Sequence, residues 1–434
     1  MFRFESWLGN LYMSHFKAII LAAGRGVRMK SDTPKVLHKV AGRPVLEYVL
    51  DITKALRSLT TYVVVGHGAN EVKKSVGNSV HYVLQDKLLG TGDAVRRAGP
   101  FLKNFNGTVL VLCGDTPLLE TVIVSRLLAK HQQLKAAATV LTAIVKEPYG
   151  YGRIVRDRLG NFGAIREHKD ASENELKINE INVGVYCFKA QALFNTLKSV
   201  KLNPKKKEYY LTDVIELLLA KEETVATVTT DDETAGFGVN TREDLAQAEK
   251  VIRTRILKKL MADGVSIIDP ATTYVEAGVK IGHDTVLYPC TFIEGDVTIG
   301  KKCQIGPFAH LRPGTRIADN ATIGNFTEVS RTKVGRNVMM KHFSFLGDAT
   351  VGNDVNIGAG TITANYDGKD KNKTVIGDGA FIGSDSILIA PLTIGKKAMV
   401  GAGSVVARGK NIPAGMLAVG VPARVIKKVA KGKI

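Results

Sequence analysis

From Val275 to Val329 an aliphatic residue recurs at every sixth position, and that period leaves the chain very few folds to adopt. Val275, Ile281, Leu287, Ile293, Ile299, Ile305, Leu311, Ile317, Ile323 and Val329 keep the spacing without exception. Four residues after each of the first nine stands a smaller side chain: Val279, Thr285, Thr291, Val297, Cys303, Ala309, Thr315, Ala321 and Thr327. Six fits neither the helical turn nor the two-residue alternation of a simple strand. It is the repeat of a parallel β-helix, in which three short strands make one coil of a triangular prism. The register slips by one and resumes at Val334, Met340 and Leu346, then at Val351 and Ile357. After the polar insertion NYDGKDKNK it runs through Ile376, Ile382, Leu388, Ile394, Val400, Val406 and Ile412, for roughly seven or eight coils. Glycines behind the aliphatic, Gly282, Gly300, Gly306 and Gly324, are expected to relieve tight corners. Cys303 falls at a small interior position, so its thiol is read as filler.

Upstream the period is different. From residue 17 to about 242, β-branched runs (TYVVVGH, GTVLVLCGD, AAATVLTAIV) alternate with amphipathic stretches (TPLLETVIVSRLLAKHQ, EYYLTDVIELLLAKE). Such alternation predicts an α/β domain with a largely parallel sheet, whose ligands bind at the carboxyl ends of strands. The loop LAAGRGVRMKSDTPK, residues 21–35, stands at one such end. Met29 occupies the place of the third glycine in a dinucleotide fingerprint, and the G-K-[ST] of a Walker A loop is absent. What remains is a turn able to aim backbone N–H groups, Arg25, Arg28 and Lys35 at a polyphosphate, although an ordinary basic strand-to-helix turn reads the same way. Asp115 follows VLVL at a second strand end, where a lone aspartate equally serves as a helix cap.

Composition bounds the partners. Of 434 residues, 45% are hydrophobic and 23% charged, as in an ordinary soluble globular protein. No apolar run is long enough to span a membrane, and the first residues lack the features of a signal peptide. Cys113, Cys187, Cys290 and Cys303 form no pair with zinc or redox spacing, which points to a reduced, cytoplasmic protein. A net charge of +19 calls for anionic partners. Aromatics at 6%, not interleaved with the basic residues, argue against nucleic acid and leave small polyanions such as nucleotides, sugar phosphates and coenzyme A. The chain is divided into an N-terminal extension, 1–12, with Met13 an alternative start; an α/β domain, 13–242; a connecting helix, 243–263, entered from a capping threonine and left at Gly264; and the β-helix, 264–434.

The opening motif LAAG-x-G-x-R-M…PK, present as Leu21 to Met29 and Pro34-Lys35, resembles that of the sugar-phosphate nucleotidylyltransferases. Gln85, LGTGDA from Leu89, CGD from Cys113, GYGRI from Gly150, EHKDA from Glu167, EINVG from Glu180, EYYLTD from Glu208 and GVN from Gly238 narrow the likeness. They resemble the bifunctional N-acetylglucosamine-1-phosphate uridylyltransferases / glucosamine-1-phosphate N-acetyltransferases of bacterial envelope-precursor synthesis. IGPFAHLRPG, GNFTEV, KHFSFLGD, VNIGAGTITANYDG and FIGSD match that family's second domain in order and spacing. The resemblance implies a Rossmann-like nucleotidyltransferase domain followed by a left-handed parallel β-helix, small-molecule substrates, a cytoplasmic homotrimer and no membrane insertion. UTP and acetyl coenzyme A would be co-substrates and Mg²⁺ the cofactor. Leu21, Ala22, Ala23, Gly24 and Lys35 would contact the nucleotide, Arg28 its phosphates during catalysis, and Gln85, Gly90 and Thr91 the uracil. Gly152, Glu167 and Asn182 would contact the sugar, and Asp115 and Asn240 the metal.

In the β-helix, the resemblance makes His342 the general base, oriented by Glu328, with Asn365 on the amine and Ser384 on the thioester oxyanion. Arg312, Ser330, Phe345, Asn356, Ala359, Tyr366 and Ala402 would line the acceptor and acetyl coenzyme A. His342, two places after the inward-facing Met340, is expected to point out of the prism. Three places depart from the family pattern: Ser330 stands for a lysine, Phe345 for a tyrosine, and the ending GVPARVIKK replaces one with an arginine near coenzyme A. Arg312 and Ser330 should stack one coil apart, so the missing lysine thins a phosphate clamp. Losing one charged hydrogen bond weakens binding by about 1.5–3 kcal/mol unless Arg331 or another cation reaches in. Two alternatives stay open at this point: a sugar-nucleotide pyrophosphorylase whose β-helix is regulatory or oligomerising, and one whose β-helix acetylates a different amino sugar.

Overall fold

The computed structural model describes residues 15–204 and 206–429; the expected extension 1–12 lies outside them. The first unit is built on a nine-stranded sheet. Its strands are β1 (Phe16–Ala22), β2 (Thr61–Val65), β3 (His81–Leu84), β4 (Thr108–Cys113), β5 (Ala138–Ile144), β6 (Arg153–Arg156), β7 (Phe162–Arg166), β8 (Glu180–Lys189) and β9 (Val225–Thr230). The order is β9-β5-β8-β4-β1-β2-β3, with β6 pairing β8 and β7. Pairings among β4, β1, β2 and β3 are parallel, as is β9 on β5, while β8 runs antiparallel to both its neighbours.

Both faces of this sheet are covered. Phe16, Ala18, Ile20 and Ala22 of β1 pack on one side with the helices Val45–Ala55 and Thr121–Leu134, while Ile19 packs on the other with Thr91–Ala98 and Thr212–Leu219. Burial on both faces is why these strands read as unbroken apolar runs. Leu21 of β1 lies opposite Cys113 of β4, so the glycine loop and Asp115 leave the same carboxyl edge side by side.

Thr241 starts the connecting helix, Arg242–Ala262: its hydroxyl accepts from the Asp244 N–H at 3.1 Å and its N–H donates to the Asp244 carboxylate at 2.8 Å. Gly264, at φ +91°, follows the last turn. One compact unit ends within this helix at Glu249 and the second begins at Lys250.

The second unit is a prism of three sheets with ten, eight and seven strands, parallel except for the closing hairpin Met416–Gly420/Ala423–Lys428. Of the ten six-spaced aliphatics, nine are buried and Ile281 is half-buried against the same core. Some of the small polar residues inside find partners on the next coil, as Thr285 donates to the Gly300 carbonyl at 2.8 Å and Thr315 to that of Val329 at 3.1 Å, whereas the buried hydroxyls of Thr291 and Thr374 have none among the described residues. Cys303 is buried filler, as expected. The slip in register has a structural form. Aligned residues Val286, Gln304 and Thr322 are 18 apart, but Thr322, Met339 and Asn356 are 17 apart, and the step to Phe381 takes 25 because it carries the insertion.

The expectation for the glycines needs correcting. Of the four, only Gly306 has a positive φ, +94°. At Gly324 a Cβ would sit 2.0 Å from the Lys341 carbonyl oxygen, and at Gly282 one would sit 2.7 Å from the Gly300 carbonyl. There glycine is required by the approach of the next coil. The left-handed corner residues include Asp284, Asp296, Asn320, Asn337 and Asp354, types that tolerate that conformation, but also Lys302, Phe308, Phe326 and Arg331, which do so at a cost.

Candidate active sites

Beyond the carboxyl edge of β1 and β4 opens a cleft of about 740 Å³. Leu21, Ala22, Ala23, Gly24, Lys35, Gln85, Gly90, Thr91 and Asp115 all line it, together with Arg25 and Glu208. Lys35 Nζ forms a short ion pair with the Asp115 carboxylate and donates to Asn240 Oδ1 at 3.0 Å. Arg28 donates to the same oxygen at 3.0 Å. The Asn240 amide is held by its own donation to the Gly238 carbonyl at 3.0 Å, which turns Oδ1 toward the cations. Two chain-distant residues expected to hold a metal are thus tied through one ammonium. A side chain on Gly238 would stand 3.8 Å from both Asp115 oxygens, so glycine keeps that corner open. Among the described residues no group of three or more His, Cys, Asp or Glu converges as a metal cage.

The expected sugar contacts form a second group outside the lining of that cleft. Asn182 on β8 takes a backbone hydrogen bond to the Gly152 carbonyl at 2.8 Å, and its side chain donates to the Tyr186 hydroxyl at 2.6 Å. Glu167 accepts from the Thr212 hydroxyl at 3.1 Å. Burial pushes its carboxyl up, against the pull of that bond, and nearby Asp170 and Glu208 push the same way. Asp213 is pushed up to about 6 by burial first, then by Glu216, Glu167 and Asp170. Sequence reasoning misses Tyr186, a 5% exposed residue that reads as core; its only signal is a hydroxyl in the apolar stretch Val183–Phe188.

In the prism, strand register sorts the expected residues into rows. Met339, Asn356, Phe381 and Met399 align, which sets His342, Ala359, Ser384 and Ala402 at one corner position of four successive coils. His342 is exposed, as expected, but for another reason: it lies in the corner after Met339–Met340, whereas strand alternation from Met340 would have turned it inward. Glu328 aligns with Phe345 and accepts from Arg312 at 3.1 Å; among the described residues it makes no hydrogen bond to His342. Arg312 also lies 3.7 Å from Glu294, so two carboxylates flank it.

Asn365 donates to Asp348 at 2.5 Å, and Arg331 grips the same carboxylate through Nε at 2.7 Å and Nη2 at 2.8 Å. That guanidinium, with the hydrogen bond from Asn365, holds the Asp348 carboxyl below its ordinary range. Arg331 Nη1 donates to Ser330 Oγ at 2.7 Å. Arg331 is therefore committed to Asp348 and Ser330, and Ser330 itself is buried. Asp348 escapes sequence reasoning; the 17-residue spacing of Arg331, Asp348 and Asn365 in the slipped coils is the signal that finds it. A groove along this face is lined by Glu328, Phe345, Phe326, Phe343, Ile362 and Ile387, while Tyr366 is exposed on the inserted loop.

Residues 18–176 match the MobA-like NTP transferase domain, and residues 296–331 and 373–408 match the bacterial transferase hexapeptide (six repeats). Fold and sites define a nucleotidyltransferase joined in one chain to a left-handed hexapeptide acyltransferase. The chain is 46% identical over 427 residues to the bifunctional protein GlmU of Shouchella clausii, covering 91% of this chain and 94% of that protein. It is 47% identical over 427 residues to that of Exiguobacterium sibiricum, covering 91% and 95%. The chain belongs to the GlmU family of bifunctional proteins. It acetylates glucosamine-1-phosphate from acetyl-CoA and transfers uridylyl from UTP to N-acetylglucosamine-1-phosphate, releasing pyrophosphate.

Proposed function

We propose that uridylyl transfer takes place in the cleft of the first unit, with Leu21 to Gly24, Arg28 and Lys35 on the triphosphate. Gln85, Gly90 and Thr91 hold the uracil, and Gly152, Glu167 and Asn182 the sugar. The observation that carries this reading is the convergence of Lys35, Arg28, Asp115 and Asn240 at the carboxyl edge of the sheet. Attack by a sugar-phosphate oxygen on the α-phosphorus of UTP forms one P–O bond and breaks the bond to the departing pyrophosphate. Two polyanions must meet for this, so positioning and charge neutralisation matter more than covalent help. The oxygens of Asp115 and Asn240 suit Mg²⁺, which takes one or two protein oxygens and completes its shell with phosphate and water. Asp115 and Asn240 would hold it, and it would supply charge neutralisation for the departing pyrophosphate.

In the second unit His342 accepts the proton from the glucosamine amine as the amide forms, and Asn365, fixed by Asp348, orients that amine. Ser384 faces the thioester oxyanion. Arg312 meets the sugar phosphate beside Ser330 and Phe345, while Asn356, Ala359, Tyr366 and Ala402 line the acceptor and acetyl-CoA. Glu328 acts on this site through Arg312, its hydrogen-bond partner.

The assembly is a homotrimer. Phe308 stacks on Phe326 at 4.8 Å and 4°, both exposed, and Phe343 follows at the same corner one coil on. Such an aromatic ladder is the kind of surface a second copy covers. The protein works in the cytoplasm, in line with its four free cysteines, and supplies precursors of the cell wall.

Chelation tests the metal. With EDTA, pyrophosphate release should stop and return on adding Mg²⁺, while coenzyme A release continues; Asn240→Ala should raise the Mg²⁺ needed. Undiminished pyrophosphate release in chelator would overturn the metal assignment.

A further inference from the structure

Gln85 is 4% exposed, lines the cleft, and has its side-chain nitrogen fully used. Nε2 donates to the Gly90 carbonyl at 3.0 Å and to Asp93 Oδ2 at 2.9 Å. A primary amide has two N–H donors, and both are spent. Each partner is acceptor-only, since a carbonyl and a carboxylate carry no proton to give. Rotating the amide by half a turn would set Oε1 against two oxygens with no hydrogen between them. The network therefore dictates the orientation and leaves Oε1 as the amide's remaining hydrogen-bonding atom.

We infer that Asp93 is a positioning residue that fixes the Gln85 amide, and with it the choice of uracil over cytosine. The chemistry of the bases carries the second half of that statement. Uracil presents a donor at N3, whereas cytosine presents a lone pair there. An acceptor oxygen held against that edge pairs with the first and repels the second. Without the lock, the amide can turn and offer its N–H₂ to cytosine.

Asp93 is itself held for this task. It is the third residue of the helix Thr91–Ala98, 5% exposed, and its carboxylate lies 3.6 Å from Arg97, which also pairs with Asp86 at 2.8 Å. A carboxylate in the first turn also favours the helix dipole, so Asp93 contributes to stability as well. A purely stabilising role would lower activity with every nucleotide alike and leave their ratio untouched. The lock changes the ratio.

The inference rests on reading Gln85 as the residue that meets the base, and the experiment separates the two. The kcat/KM values for UTP and CTP are measured, by pyrophosphate release, for the wild-type enzyme, Asp93→Asn and Gln85→Ala, each checked by thermal unfolding. Asp93→Asn keeps the volume but can offer Gln85 either an oxygen or an N–H₂, so the preference for UTP over CTP should fall by about tenfold, the value of one hydrogen bond. Gln85→Ala should collapse the same ratio. If Gln85→Ala leaves the ratio unchanged, the reading of Gln85 is wrong and the inference goes with it. If Gln85→Ala collapses the ratio and a folded Asp93→Asn does not, only the role of Asp93 is overturned. Should Asp93→Asn fail to fold, Asp93→Ser, whose hydroxyl both donates and accepts, is measured in its place with the same two outcomes.

Discussion

Ser330 concentrates the difference between this β-helix and the pattern it resembles. A lysine there would add a cation to Arg312 one coil away, but serine is buried and its hydroxyl only receives Arg331. Arg331 offers no substitute, because Asp348 holds it through two nitrogens. Ser330→Lys should therefore lower KM for glucosamine-1-phosphate with little change in kcat, the sign of added uniform binding; steady-state coenzyme A release reads both. An unchanged KM would mean that Arg312 alone saturates the phosphate. Sequence exposes the substitution but not its consequence, since the commitment of Arg331 depends on Asp348, 17 residues on and invisible without the coil register. Asp93 is hidden in the same way: within LGTGDA it looks like one more helix-starting acid.

At the scale of elements, the coil is the unit that decides what each position tolerates. Gly324→Ala would drive a methyl into the Lys341 carbonyl of the next coil, so it should cost about 1–3 kcal/mol, seen as an earlier unfolding transition in denaturant. Ala321→Gly, which removes one buried methyl from the interior of the same coil, should cost about 1 kcal/mol. In the first unit, the helix Thr121–Leu134 is fastened to β5 by His131, 4% exposed, whose Nδ1 meets the Thr139 hydroxyl at 2.9 Å. Burial pushes this imidazole down to about 4. The sign follows: the native state holds His131 neutral, so its contribution is intact above the unfolded value near 6.5 and is lost as pH falls toward 4. By pH 5 the loss is on the order of 2 kcal/mol, and His131→Asn should flatten the fall in Tm between pH 7 and 5. The prism was legible in sequence because close-packed coils allow only one residue size per position, and repetition makes that visible. The first unit was legible as alternation, and its glycine loop and Asp115 as strand-end residues, but Asn240 was legible only through the resemblance, because it reaches Lys35 across 205 residues of sequence.

For the whole molecule, two compact units carry two sets of reacting groups that share no residue. The homotrimer proposed above should give roughly 140 kDa by light scattering, three copies of the 46.8 kDa chain, and a monomer at micromolar concentration would count against it. Phe326→Asp should shift that mass downward, since it puts charge into the ladder. The central claim is that one chain runs two independent chemistries, and the two half-reactions measured on Asp115→Ala and His342→Ala test it most directly. Asp115→Ala should abolish pyrophosphate release and leave coenzyme A release at the wild-type rate. His342→Ala should cut coenzyme A release by about 10²–10⁴-fold and leave pyrophosphate release intact, because proton removal is lost while the binding surfaces remain. Loss of both activities in either variant, with the protein folded by circular dichroism, would contradict the account.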